Sequence, residues 1–222
     1  MFKRHRYPTI IIQQGVYYKF RFTLSYRDID ELMEIRGLEV DHSTIQRWVF
    51  KFSPEIEGNM HRRKQQVCDS WRMDETYIKV GGQDGYLYRA VDKFGNTVDF
   101  LLTKRRMKGS AQKFFNKAIG NNGKPRVINI DKSGSNFTAI RAVNRNNFWK
   151  KNIKVRQCKY LNNIVEQDHR NIKRRIAINT GFKEFESAQR TLAGMEVVSI
   201  IKKNQIIDSK STVFQTFRSL AA

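Results

Sequence analysis

SWRMDETYIKV (residues 70–80), YLYRAVDKF (86–94) and TVDFLLTK (97–104) are three alternating runs in close succession, split by Gly81-Gly82-Gln83-Asp84-Gly85 and by Gly95-Asn96. Period-two alternation with aromatic and β-branched residues predicts strands, and the glycine-bearing breaks predict hairpin turns, so the stretch reads as an antiparallel meander. Downstream the pattern becomes helical: Ser110 to Ile119 sets Ala111, Phe114, Phe115 and Ala118 on one face. RVINID (126–131) is short and apolar, as a buried parallel strand is. A helix over Asn136 to Val143, a fifth strand over Ile153 to Gln157, helical spacing from Tyr160 to Arg175 and a last helix from Glu184 to about Lys203 complete the order. That last helix carries Leu192, Met195, Val198 and Ile201 and is expected to close the domain. The expected class is α/β, one mixed sheet flanked by helices.

Upstream, residues 1–55 read as a small all-α module. Thr9 to Phe20 places Ile12, Val16, Tyr17 and Phe20 on a stripe. Ser25 and Asp28 have the spacing of a capping box, and Gly37 is a natural stop. A second helix is expected to start near Asp41, to set Ile45, Trp48, Val49 and Phe52 on one face, and to end at Pro54. Two helices joined by a glycine turn make a helix-turn-helix. Off the apolar stripe lie Ser43, Thr44, Gln46, Arg47 and Lys51, side chains that can bond base edges and phosphates in a major groove. A hairpin that only packs on the rest of the chain has the same pattern. The expected division is 1–55 for this module, 56–67 for a polar, basic connector, 68–205 for the α/β domain and 206–222 for a tail.

The formal net charge of +21 selects a polyanionic partner, most simply nucleic acid, over an ordinary metabolic substrate. It does not by itself select an enzyme, since an architectural basic protein shares it. Cys68 and Cys158 are too far apart for a paired-cysteine metal motif and are expected to be reduced thiols. The early apolar run is interrupted by Gln13 and Gln14, so no membrane span is expected, and the protein is expected to be cytoplasmic.

Three carboxylates stand at matching topological places. Asp74 is in mid-strand, with Glu75 turned to the opposite sheet face by the pleat. Asp131 closes the fourth strand beside the loop beginning Lys132-Ser133-Gly134, at the strand end where open α/β sheets bind ligands. Glu166 opens the helical stretch YLNNIVEQDHRNIKRR (160–175), whose Glu166, His169, Arg170 and Lys173 share a face. If the first and fourth strands are neighbours, the three carboxylates converge as hard oxygen ligands suited to Mg2+ or Mn2+. Two such ions about 3.5–4 Å apart suit phosphodiester chemistry. Taken singly, each residue has a structural alternative: Asp131 as a turn or cap, Asp74 as a cross-strand ion pair, Glu166 as a surface salt bridge.

The strand–helix order is similar to the ribonuclease H-like fold, and Glu166 lies 35 residues beyond Asp131, as in aspartate-aspartate-glutamate transposases and retroviral-type integrases. More closely, SYRDIDELM, VDHSTIQRWV, SWRMDETYIKV, YLYRAVDKFGNTVDF, IDKSG, KYLNNIVEQDHRNIKR and GFKEF resemble transposases of insertion-sequence family six, from about Phe2 to Gln205. The resemblance implies that Asp74, Asp131 and Glu166 are the catalytic, metal-binding triad, and that Lys173 contacts DNA at the cleavage site. His169 and Arg170 are expected in supporting DNA contacts, and Tyr160 in a supporting role. It further implies binding of terminal inverted repeats, divalent-metal-dependent cleavage, 3′-hydroxyl strand transfer into target DNA with replicative outcome, and a homo-oligomer on DNA. A DNA-binding regulator without catalysis, or a nuclease of the same fold that cuts without joining, would share parts of this pattern.

Overall fold

A computed structural model describes residues 6–131, 134–145, 151–178 and 182–221; Lys132 and Ser133, expected to begin the loop after the fourth strand, and Gly181 of GFKEF lie outside the described residues. The chain forms two compact units, residues 66–174 and residues 1–65 together with 175–222.

In the first of these units the meander is present: β1 (Ser70–Val80), β2 (Gln83–Asp92) and β3 (Thr97–Thr103) pair antiparallel. The first turn is tighter than the five residues expected. Gly81 and Gly82, at φ +56° and +78°, turn the chain alone, a two-residue hairpin open only to residues that tolerate positive φ. At the second turn the buried Asp92 accepts from the Phe94 and Asn96 amides, and Gly95 takes φ +86°. After the helix Lys108–Asn122 (α4, the three helices before it belonging to the other unit) come β4 (Val127–Ile130), α5 (Gly134–Arg145) and β5 (Lys154–Gln157). The sheet order is β3-β2-β1-β4-β5, with β4 parallel to β1 and β5 parallel to β4. This is the ribonuclease H-like topology expected from the sequence.

Alternation along β1 sorts the chemistry. Trp71 and Met73 join Tyr88, Ala90, Phe114, Phe115, Ile128 and Ile140 in the core under α4 and α5. Asp74 therefore points to the opposite face from that core, and Glu75 to the same face. A 3₁₀ turn (Lys159–Asn162) then leads into α6 (Asn163–Ile178).

The other unit is all-helical: α1 (Thr9–Arg21), α2 (Tyr26–Glu34), α3 (His42–Arg63), α7 (Phe185–Lys202) and α8 (Val213–Leu220). The capping box holds, with the Ser25 hydroxyl accepting from the Asp28 amide and the Asp28 carboxylate accepting from the Ser25 amide. Asp41 caps α3. The expected stop at Pro54 is corrected, because α3 runs on to Arg63. Continuation buries Ile56 and Met60 in line with Ile45, Trp48, Val49 and Phe52, which outweighs the hydrogen bond that proline cannot donate. Much of the expected connector is thus helix. Helix α7 is buried nearly all round and packs on α1 and α3, as a central helix does. A Cβ at Gly194 would overlap the Phe20 ring, so α1 and α7 meet at the glycine itself. The expected tail contains α8, whose Phe217 and Leu220 are buried. Among the described residues no helix is long and apolar enough to cross a membrane.

Candidate active site

Asp74 is carried in the middle of β1, directly opposite Arg89 of β2 in the antiparallel register. Its side chain is half-buried. Burial, followed by the carboxylates of Glu75, Asp131 and Glu166, pushes its pKa up to about 6, against the pull of a backbone hydrogen bond. Asp131 follows the last residue of β4, and Glu166 lies in the first turn of α6. Asp131 and Glu166 are therefore each within electrostatic reach of Asp74. Among the described residues, no three His, Cys, Asp or Glu side chains are gathered tightly enough to hold one ion as they stand. The donor set still fits a hard divalent cation: carboxylate oxygens only, around a half-buried aspartate whose neighbours raise its affinity for positive charge.

The chain entering α6 is fixed by two buried amides. Asn129 of β4 donates from Nδ2 to Asn162 Oδ1 at 2.7 Å and to the Cys158 carbonyl at 2.9 Å. Next along α6, Asp168 Oδ2 lies 3.5 Å from the guanidinium of Arg89, a side chain 1% exposed. His169 lies 3.9 Å from Asp74 through Nε2. Glu166 is thus carried on a helix attached to β4, β2 and β1. Arg89, Asp168, Asn129 and Asn162 were not singled out from the sequence. The available signal was polarity in the wrong place, an arginine inside YLYRAVD and an asparagine inside RVINI.

The supporting cations divide. His169, expected in a supporting DNA contact, is buried, and burial, then Arg89, then Lys173, push its pKa down to about 3. Arg170 and Lys173 are exposed on the same helix, as is Tyr160 just before it. On the core side of the sheet, Glu75 accepts from Arg106 Nε at 2.6 Å and from Asn136 Nδ2 at 2.7 Å. Neither Glu75 nor Asn136 was expected in the site.

In the helical unit, the residues expected to meet DNA lie at the start of α3. Ser43 and Thr44 donate their hydroxyl protons to Asp41, so both serve the helix cap. Arg47 donates to Thr44 Oγ1 at 2.9 Å, and Gln46, Arg47 and Lys51 are exposed. Arg47 and Lys51 line a surface cleft with Tyr7 and Trp48.

Residues 68–205 match the DDE domain model DDE_Tnp_IS240. The transposase for insertion sequence-like element IS431mec of Staphylococcus aureus is 38% identical over 205 residues, which cover 92% of this chain and 90% of that protein. The transposase for insertion sequence element IS257 in transposon Tn4003, also from Staphylococcus aureus, is similar to the same degree over the same shares. The chain belongs to this family of insertion-sequence DDE transposases. It is accordingly a polynucleotidyl transferase with a DDE catalytic domain. Among solved structures, the HTLV-2 integrase catalytic core domain in complex with magnesium is 18% identical with a TM-score of 0.47, covering 70% of this chain and 99% of that one. The catalytic core domain of BIV integrase is also 18% identical, with a TM-score of 0.44 over 68% and 94% of the two chains.

Proposed function

We propose that this transposase binds the terminal inverted repeats of its own element through the α2–α3 helix-turn-helix and cuts and joins DNA at Asp74, Asp131 and Glu166. These three carboxylates would hold Mg2+ or Mn2+, two ions at once. Bound there, divalent ions activate the attacking oxygen and stabilise charge on the leaving one. Water displaces the bridging oxygen at the element end, which leaves as a 3′-hydroxyl. That hydroxyl then displaces a 3′-oxygen of the target strand, so one phosphodiester forms as one breaks. No side chain becomes covalently attached.

The chain's own part is positioning. Strand β1 gives Asp74 a rigid seat, and the Asn129–Asn162 and Arg89–Asp168 contacts set the helix that carries Glu166. Exposed Arg170 and Lys173 would hold the phosphates of the scissile strand, Lys173 foremost. Gln46, Arg47 and Lys51 would read and anchor the repeat from α3. Synapsis of two ends with a target suits a dimer or larger assembly, and a replicative course giving cointegrates follows the family resemblance.

The observation that carries the reading is the half-buried Asp74, facing Arg89 and His169 on one side and repelled by Asp131 and Glu166. A joining assay with end-containing duplex, target DNA and Mg2+ tests it. Asp74→Asn should abolish cutting and joining while end binding persists. Cutting without joining by the unaltered chain would favour a nuclease instead.

A further inference from the structure

Glu75 is a carboxylate adjacent to the proposed triad, yet it faces the other side of the sheet, and its side chain is only 4% exposed. A buried carboxylate requires strong partners. It has two: the Arg106 guanidinium, arriving from the β3–α4 connection, and the Asn136 amide, arriving from the first turn of α5. Both partners also reach toward Asp131, at longer range. Asn136 Nδ2 is 3.4 Å from Asp131 Oδ1, and Arg106 Nη2 is 3.9 Å from Asp131 Oδ2. Glu75 thus takes the short bonds of two donors that would otherwise close on Asp131.

Arg106 differs from a structural arginine. Its side chain is 36% exposed, and its outer Nη1 is 3.5 Å from the hydroxyl of Tyr77, itself half exposed on β1. A guanidinium fork has five donors, and Glu75 uses only its inner edge, Nε and Nη2. The charge is therefore held beside Asp131 with an edge directed to solvent.

We propose that Arg106 is a phosphate-contacting residue of this active site, and that Glu75, with Asn136, is the positioning residue that aims it and keeps it off Asp131. The proposal rests on the reading of Asp131 as a metal ligand. Without Glu75, the guanidinium would collapse onto Asp131 and compete with a divalent cation for the same oxygens. With it, one cation and one anion offset each other, and Arg106 remains available to a phosphate oxygen at the scissile position.

Mn2+ titration of the full-length chain, followed by the paramagnetic resonance of free Mn2+, tests this alongside end joining. Asp131→Asn should lose Mn2+ binding; retained binding there would remove the metal-site reading itself, and the role of the pair with it. Given that loss, Glu75→Gln should weaken Mn2+ binding about tenfold, the usual scale for a residue supporting a metal ligand. The double variant Glu75→Gln/Arg106→Gln should recover to within about threefold of the unaltered chain, since the competing cation is gone. Arg106→Gln alone should leave Mn2+ binding intact and raise the KM for end DNA in joining about tenfold, the scale of one lost charged hydrogen bond. A double variant as weak as Glu75→Gln would make Glu75 a ligand or a mere fold residue, and would overturn the proposal. So would wild-type joining by Arg106→Gln, or wild-type Mn2+ affinity in Glu75→Gln.

Discussion

Two arginines flank the carboxylates of this site, and the fold treats them in opposite ways. Arg89 sits in mid-strand, 1% exposed, against Asp168 of α6. Arg106 sits on a connection, 36% exposed, shared between Glu75 and Asp131. The first cation is placed where it can act only on protein, and it joins β2 to the helix bearing Glu166. The second is placed where it can exchange one anionic partner for another. The same side chain becomes a strut or a contact according to which residue of the strand, or which loop, carries it.

Stability is the sharpest way to break that contrast. Arg89→Met should destabilise the chain by roughly 3 kcal/mol, the low end for breaking a buried pair, because Asp168 retains access to water. Arg106→Gln should cost about 1 kcal/mol or less, since the amide can still donate to Glu75. Denaturant midpoints measure both; equal losses would erase the distinction. Gly194→Ala gives an internal scale from the helical unit, where overpacking against Phe20 should cost about 1–3 kcal/mol in the same experiment.

Salt dependence separates the roles by another route. Lys173→Ala, and Arg106→Gln in the same way, should lower the slope of log affinity for DNA against log salt by about one. Arg89→Met, assayed where it remains folded, should leave that slope unchanged. A change of slope with Arg89→Met would mean that the buried guanidinium reaches the DNA after all.

The smallest effect expected concerns a third cation, the buried Lys19. Lys19 donates to the Leu24 carbonyl at 2.8 Å, and burial is the main cause that pushes its pKa down from 10.5 to about 8. Its folded-state pKa lies below the unfolded value, so holding the charge disfavours folding below pH 8, and that penalty fades as pH rises toward 10.5. The melting-temperature difference between Lys19→Met and the unaltered chain should therefore shift in favour of the unaltered chain between pH 7 and pH 9.5. A difference independent of pH would show that Lys19 keeps its charge throughout.

Much of the fold was legible because alternation and helical spacing are local signals. SWRMDETYIKV and RVINID announce strands from their own residues, and Ser25 with Asp28 announces a helix start. The three carboxylates could be named because each lies at a strand or helix position that local pattern already defines. What stayed hidden is what only three-dimensional neighbours decide. Pro54 is a helix breaker by its chemistry, but burial of Ile56 and Met60 carries α3 past it. Leu192, Met195 and Val198 mark α7 as buried without saying against which helices. His169 shares a helical face with Lys173, yet His169 packs beside Asp74 of β1 while Lys173, one turn further on, is exposed, a difference that only the neighbouring sheet decides. The Glu75–Arg106 pair spans 31 positions of sequence, and no local pattern links its members.

Joining of end-containing duplex to target DNA by the full-length chain in Mg2+ tests the central claim most directly, measured for Asp131→Asn beside the unaltered protein. Joined product from the unaltered chain, none from the variant, and equal end binding by both is the expected result; equal joining by both would contradict the assignment of Asp131, and with it the proposed metal site.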